Sequence, residues 1–180
     1  MLSLDISGAF DRVTRERLIH VLRSRKVPRS ICGWVNSFML ERRTTLAFDD
    51  EETDDFLLPG GVPQGSPISL ILFLFYNAEL IEECGKHDSR LDRIGFADNM
   101  NMVAFGRSTE DNCRHLERAH GRCMDWARRY GANFAPEKYE LMHFSRRRCY
   151  NMEAEIAVSG QTETPAQVMR ILGVWLDPAL

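Results

Sequence analysis

No stretch of this chain is both long and apolar enough to cross a bilayer. The longest apolar run, Ile68 to Tyr76, is broken by Ser69, whereas a membrane-spanning helix needs about 20 such residues. Met1-Leu2-Ser3-Leu4-Asp5 has neither a basic flank nor a cleavage-type sequence, so no secretory signal is expected, and the chain is expected to begin inside a strand. The five cysteines, Cys32, Cys84, Cys113, Cys123 and Cys149, include no CxxC pair. That spacing argues against a zinc site or a disulfide framework and for small buried hydrophobes in a reducing compartment. A basic excess is lacking too: the net charge is −3, which does not advertise nucleic-acid binding.

The charge is nevertheless uneven. Residues 49–55 hold six acids in seven positions, and the rest of the chain carries 23 basic against 20 acidic side chains. Basic clusters stand at Arg23, Arg25, Lys26 and Arg29, at Arg128-Arg129, and at Arg146-Arg147-Arg148. Each reads as a solvated face or, more sharply, as a phosphate contact. At 180 residues, 44% hydrophobic and 27% charged, the chain has the composition of one globular domain with a sizeable core.

Local signals give the element order. Residues 1–5 alternate as a strand ending at Asp5. Thr14 can cap a helix to about Lys26, with Leu18, Val21 and Leu22 at helical spacing, and Pro28 ends it. A second helix, Ser30 to Leu40, is expected to bury Ile31, Trp34, Val35 and Phe38. Thr44–Phe48 and Phe56–Leu58 read as a hairpin with the acidic run at its tip. After the breaker pair Gly60-Gly61, Ser66-Pro67 starts a helix to Cys84 that is apolar nearly all round and therefore expected to be central and buried. Arg93–Phe96 and Asn101–Phe105 read as strands around a turn at Ala97-Asp98-Asn99. Ser108 with Asp111 resembles a capping box for a long helix stopped by Gly131. Asn133-Phe134, Glu140–Phe144, Glu155–Val158 with a turn at Ser159-Gly160, and Ile171–Leu176 complete the chain with β structure. The order predicts an α+β domain, an antiparallel sheet with helices packed on one face.

Chemistry gathers in few places. Asp5 ends the first strand and Asp98 sits in a turn between apolar strands. A carboxylate beside a buried sheet is costly unless solvated or paired with a cation. Each alone is explained as a turn aspartate; together they suggest a hard cation, and magnesium needs few protein carboxylates because it keeps several waters. Gly60-Gly61-Val62-Pro63-Gln64-Gly65-Ser66-Pro67 could bring backbone close to a ligand at a helix N-terminus. A turn plus a cap explains the glycines and Ser66 but not Gln64.

Leu4-Asp5-Ile6-Ser7-Gly8-Ala9-Phe10-Asp11-Arg12-Val13 resembles the first palm motif of the non-LTR retrotransposon reverse transcriptases. Gly61-Val62-Pro63-Gln64-Gly65-Ser66-Pro67, followed by Ile71-Leu72-Phe73 and Tyr76-Asn77, resembles their second. Phe96-Ala97-Asp98-Asn99 resembles the third, Pro136-Glu137-Lys138 with His143-Phe144 the fourth, and Ile171–Asp177 the last, the primer-grip side. The resemblance implies an RRM-like or ferredoxin-like polymerase palm over residues 1–180, with a β-rich primer-grip end at 150–180. It implies that Asp5 and Asp98 hold two Mg2+ ions, or Mn2+ in their place, and that Phe10 gates the sugar of the incoming nucleotide. Gln64, Gly65 and Ser66 would line the nascent pair and template, and Lys138 would protonate the leaving pyrophosphate. The implied partners are an RNA template, a DNA primer and deoxynucleoside triphosphates. The implied compartment is the nucleus, with the mitochondrion as an alternative.

The sequence departs from that pattern at Asn99, where the family form has a second aspartate; Leu70 and Tyr139 also differ from common family residues. An amide can ligate a cation but brings no charge, so weak or absent polymerase activity is expected. Fingers and thumb are expected to lie outside the sequence. The alternatives are a non-catalytic nucleic-acid-binding palm, since Arg93-Ile94-Gly95-Phe96-Ala97 faintly resembles an RNA-binding strand, or the product of a decayed element.

Overall fold

A computed structural model describes residues 1–49, 51–58, 60–145 and 150–179. The basic cluster Arg146-Arg147-Arg148, Cys149 and Asp50 of the acidic run lie outside the described residues. In chain order the elements are β1 (Leu2–Ser7), α1 (Arg15–Ser24), α2 (Arg29–Phe38), β2 (Arg43–Thr44), β3 (Ala47–Phe48), β4 (Glu51–Glu52), β5 (Phe56–Leu57), α3 (Pro67–Cys84), β6 (Leu91–Phe96) and β7 (Asn99–Ala104). They continue with α4 (Thr109–Tyr130), β8 (Asn133–Phe134), a 3-10 turn at Pro136–Lys138, β9 (Glu140–Leu141), β10 (Ile156–Val158), β11 (Gln161–Glu163), β12 (Met169–Ile171) and β13 (Val174–Leu176). The chain forms two compact units, one of Met1–Ser7 with the chain from Glu79 onward, the other of Gly8–Ala78.

The first unit is built on an antiparallel sheet in the order β6-β7-β1-β8, with β9 also pairing β1. Leu2 and Leu4 stand directly opposite Met102 and Met100, and all four are essentially buried. Strand alternation puts these apolar pairs on one face, and α4 packs against β7. α4 supplies Leu116, Ala119, Cys123, Trp126 and Tyr130, one buried stripe at helical spacing. Burying each leucine contributes about 1.5–3 kcal/mol. Ser108 caps α4 by accepting from the Asp111 N–H at 3.1 Å, and Gly131 closes it in the left-handed conformation. The opposite face carries the remaining alternate residues: Ser3 opposite Asn101 and Asp5 opposite Asn99. The core therefore fixes the register that sets these polar side chains together.

In the second unit α1 follows Thr14, whose side chain makes no capping bond, and α3 begins at Pro67 as the sequence requires. The hairpin is nested: β2 pairs β5, and β3 pairs β4 inside it. Glu51-Glu52 of the acidic run is therefore strand rather than loop. α2 buries Cys32 and Val35 but leaves Ile31 and Trp34 about half exposed. The apolar residues of this short helix lie on two sides, and only one side is covered. The part of α3 in this unit differs in the same way: Leu72, Phe73 and Tyr76 are buried, whereas Leu70, Ile71 and Leu74 face outward.

The other differences are local. β7 begins at Asn99, so the preceding turn has only Ala97 and Asp98 at its centre. The terminal β structure splits into the hairpin β12–β13 around Leu172-Gly173, both at positive φ, the two-residue turn type that matches strand twist. Cys32, Cys84, Cys113 and Cys123 are free and buried, as expected of small hydrophobes. No helix among the described residues is long and apolar enough to cross a membrane.

Candidate functional site: a carboxylate pair at a hairpin turn

The acids singled out in the sequence meet in the first unit. β1 and β7 run antiparallel with Asp5 opposite Asn99, and the Ile6 N–H donates to the Asp98 carbonyl at 3.0 Å. The β6–β7 turn thus brings Asp98 beside the end of β1. Its first central residue, Ala97, has φ +50°, a conformation that a residue with a Cβ adopts at a cost. The Asn99 side-chain amide donates to Asp98 Oδ1 at 3.3 Å. Lys138, from the 3-10 turn after β8, places Nζ 3.1 Å from Asp5 Oδ1. The Asp5 side chain is 18% exposed and that of Lys138 59%. The lysine pKa is raised, first by the hydrogen bond to Asp5, then by its charge, with Asp98 adding to it.

The donor set is two carboxylates and an amide. A hard cation that keeps most of its water needs no more than that. Among the described residues no group of three or more acids, histidines or cysteines gathers as a metal-binding set.

Beside Asp98 lies a cavity of about 240 Å³ lined by Ser3, Phe96, Asn99, Asn101, Arg170 and Leu172, among others. Two of these were missed in the sequence. Asn101 is 3% exposed and its Oδ1 has no hydrogen-bond partner; its spacing of two from Asn99, in a strand otherwise rich in methionine, was the available signal. Arg170, whose guanidinium carbon lies 5.4 Å from the Trp175 ring centre, carried no local signal.

Phe10, Gln64, Gly65 and Ser66 belong to the second unit. Together with Pro67 and Leu70 they line a hollow of about 540 Å³. The Gly61 and Val62 N–H groups donate to the Val13 and Phe10 carbonyls at 3.0 and 2.9 Å. A methyl group on Gly61 would sit 2.9 Å from Asp11 Cα, and its φ is +82°, so glycine is required there for close backbone approach. Phe10 stacks on Phe73 with ring centres 5.0 Å apart, and Gln64 Nε2 reaches Asp11 Oδ1 at 3.4 Å. Gly65, at φ +88°, opens onto free space. The glycine-rich segment therefore holds the Phe10 loop as well as lining the hollow.

An antiparallel sheet backed by a long helix, with paired acids at a strand end and hairpin turn, defines a polymerase-palm-like domain. The family model of reverse transcriptase (RNA-dependent DNA polymerase) matches residues 1–176, and the chain belongs to that family. Its relatives include two Drosophila melanogaster proteins. One is the probable RNA-directed DNA polymerase from transposon X-element, 25% identical over 99% of this chain and 19% of that protein. The other is the probable RNA-directed DNA polymerase from transposon BS, 23% identical over 98% of this chain and 20% of that protein. The chain thus spans about a fifth of the length of these relatives and is a reverse transcriptase domain of the non-LTR type. Apo telomerase from Candida tropicalis, truncated from its C-terminal domain, shares the fold with a TM-score of 0.64 at 13% identity, over 98% of this chain and 33% of that one. The family works with divalent metal ions on a nucleic-acid template and nucleotide substrates.

Proposed function

We propose that this domain derives from an RNA-directed DNA polymerase that extends a DNA primer on an RNA template from deoxynucleoside triphosphates, and that its own activity is impaired. The observation that carries the reading is the meeting of Asp5, Asp98, Asn99 and Lys138 at one sheet end. Asp5 and Asp98 would hold Mg2+, which when bound lowers the charge barrier to attack on a phosphate. Asp98 is held by the turn and by the Asn99 amide. The Lys138 ammonium, kept protonated by Asp5, is the proton source for the leaving pyrophosphate. Phe10, braced by Phe73, offers a flat wall to the sugar of the incoming nucleotide, and Gln64, Gly65 and Ser66 line the hollow for the base pair. Arg170 and the β12–β13 hairpin, on the primer-grip side, contact the primer phosphates. Asn99 is the limiting defect, because catalysis of this kind rests on charge and positioning. The test is primer extension by the full-length protein carrying Asn99→Asp. Activity should rise at least tenfold; activity equal to the parent would contradict the reading.

One observation favours a second reading, a nucleic-acid-binding palm without catalysis. Phe96 and Ile94 on β6 are 55% and 57% exposed, as a base-stacking strand requires. RNA binding that persists without divalent ions and is lost in Phe96→Ala would support it.

A further inference from the structure

Between Glu16 and Glu41 the sequence has no acid, yet it holds Arg17, Arg23, Arg25, Lys26 and Arg29. The structure gathers the last of these at the turn joining α1 to α2. Arg23, Val27, Arg29 and Cys32 line a hollow of about 610 Å³. Arg23, Lys26 and Arg29 are exposed, and none has a side-chain hydrogen bond or ion pair among the described residues. All belong to the second unit, and none belongs to the Asp5–Asp98 site.

Folding accounts for only part of this. Arg23 lies in the last turn of α1, where a cation complements the helix dipole. Arg29 is the first residue of α2, whose first turn has no acid; there the dipole opposes a cation. Lys26 adopts φ +61° as the left-handed residue that closes α1, where the Val27 N–H bonds back to the Leu22 carbonyl at 3.0 Å, and its ammonium is left exposed. Arg23 and Arg29 face one hollow with Lys26 beside them in the turn and, among the described residues, no acid paired with any of the three, so they repel one another, and that arrangement becomes favourable when an anion occupies the hollow. A single carboxylate would leave most of the charge unmatched, whereas consecutive phosphates of a strand match it and release counterions.

We infer that the α1–α2 turn is a phosphate-backbone site for RNA, in which Arg23, Lys26 and Arg29 grip the strand without reading its bases. This rests on the proposed function only in taking RNA as the partner. It calls for no divalent ion and none of Asp5, Asp98 or Lys138.

The experiment is fluorescence anisotropy of labelled single-stranded RNA with the whole chain, in EDTA, over a range of salt. Working in EDTA separates this site from the cation site, so failure of one leaves the other standing. The double variant Arg23→Glu/Arg29→Glu should weaken binding at least tenfold. It should also flatten the plot of log affinity against log salt by about one to one and a half. Arg23→Lys/Arg29→Lys, which keeps the charge, should retain affinity within about threefold, with circular dichroism confirming that both variants are folded. Unchanged affinity and slope in the charge-reversed protein would overturn the proposal. So would equal loss in both variants, or charge-dependent binding to anionic phospholipid vesicles with none to RNA.

Discussion

Lys138 Nζ lies 3.1 Å from Asp5 Oδ1, so the carboxylate proposed to hold a divalent ion already has a tethered cation. An ion bound there would compete with it. Lys138→Met should tighten Mn2+ binding by up to about fivefold, the scale of an exposed ion pair, as read by isothermal titration. Weaker binding in that variant would contradict the competition. Because its pKa is raised by Asp5, the ammonium and the stability its pair contributes are fully present below the unfolded lysine value. They are lost only as pH rises through the higher folded value. Between pH 7 and 9 the difference between Lys138→Met and the parent should therefore stay constant.

Ala97 holds the Asp98 turn at φ +50°, where glycine is at ease. Ala97→Gly removes that strain but adds unfolded-state entropy, and the balance should stabilise the protein by about 0.5–1 kcal/mol. A urea midpoint that falls would show that the alanine is not strained.

Gly61 is the opposite case. Its missing Cβ would meet Asp11 Cα at 2.9 Å and the Phe10 carbonyl at 3.0 Å. Gly61→Ala should cost about 2 kcal/mol or more and loosen the Phe10 loop. Equilibrium unfolding measures the first effect, and protection of the Val62 amide, bonded to Phe10, measures the second. Stability within about 0.5 kcal/mol of the parent would contradict the close approach.

Burial lowers the pKa of His120 and His143. The unfolded chain then binds more protons below pH 6.5, so the stability held above that value is lost as pH falls from 6.5 through the folded values. Each histidine contributes a loss of at most about 1.4 kcal/mol per pH unit in that window. Unfolding at pH 7.5 and 5.5 should differ by more in the parent than in His143→Gln.

The local signals in the sequence were strong where one residue decides the backbone. Ser108, Gly131 and Pro67 mark helix ends by their own chemistry, and the structure uses all three. Asp5 and Asp98 were legible as costly acids beside a sheet, and the pattern of buried leucines and methionines fixes their meeting. What was hidden depends on the rest of the chain. Trp34 faces outward because α2 is apolar on two sides and one is left uncovered. The Leu172-Gly173 turn lay inside an apolar run, where an apolar residue at positive φ leaves no trace. Arg170 reaches the Asp98 cavity through tertiary packing alone.

The pairing of Asp5 with Asp98 as a cation site is tested most directly by titrating the chain with Mn2+ and repeating the titration with Asp5→Asn and Asp98→Asn. Saturable binding by the parent that is lost in both variants is the predicted result. Binding unchanged in either variant would contradict it.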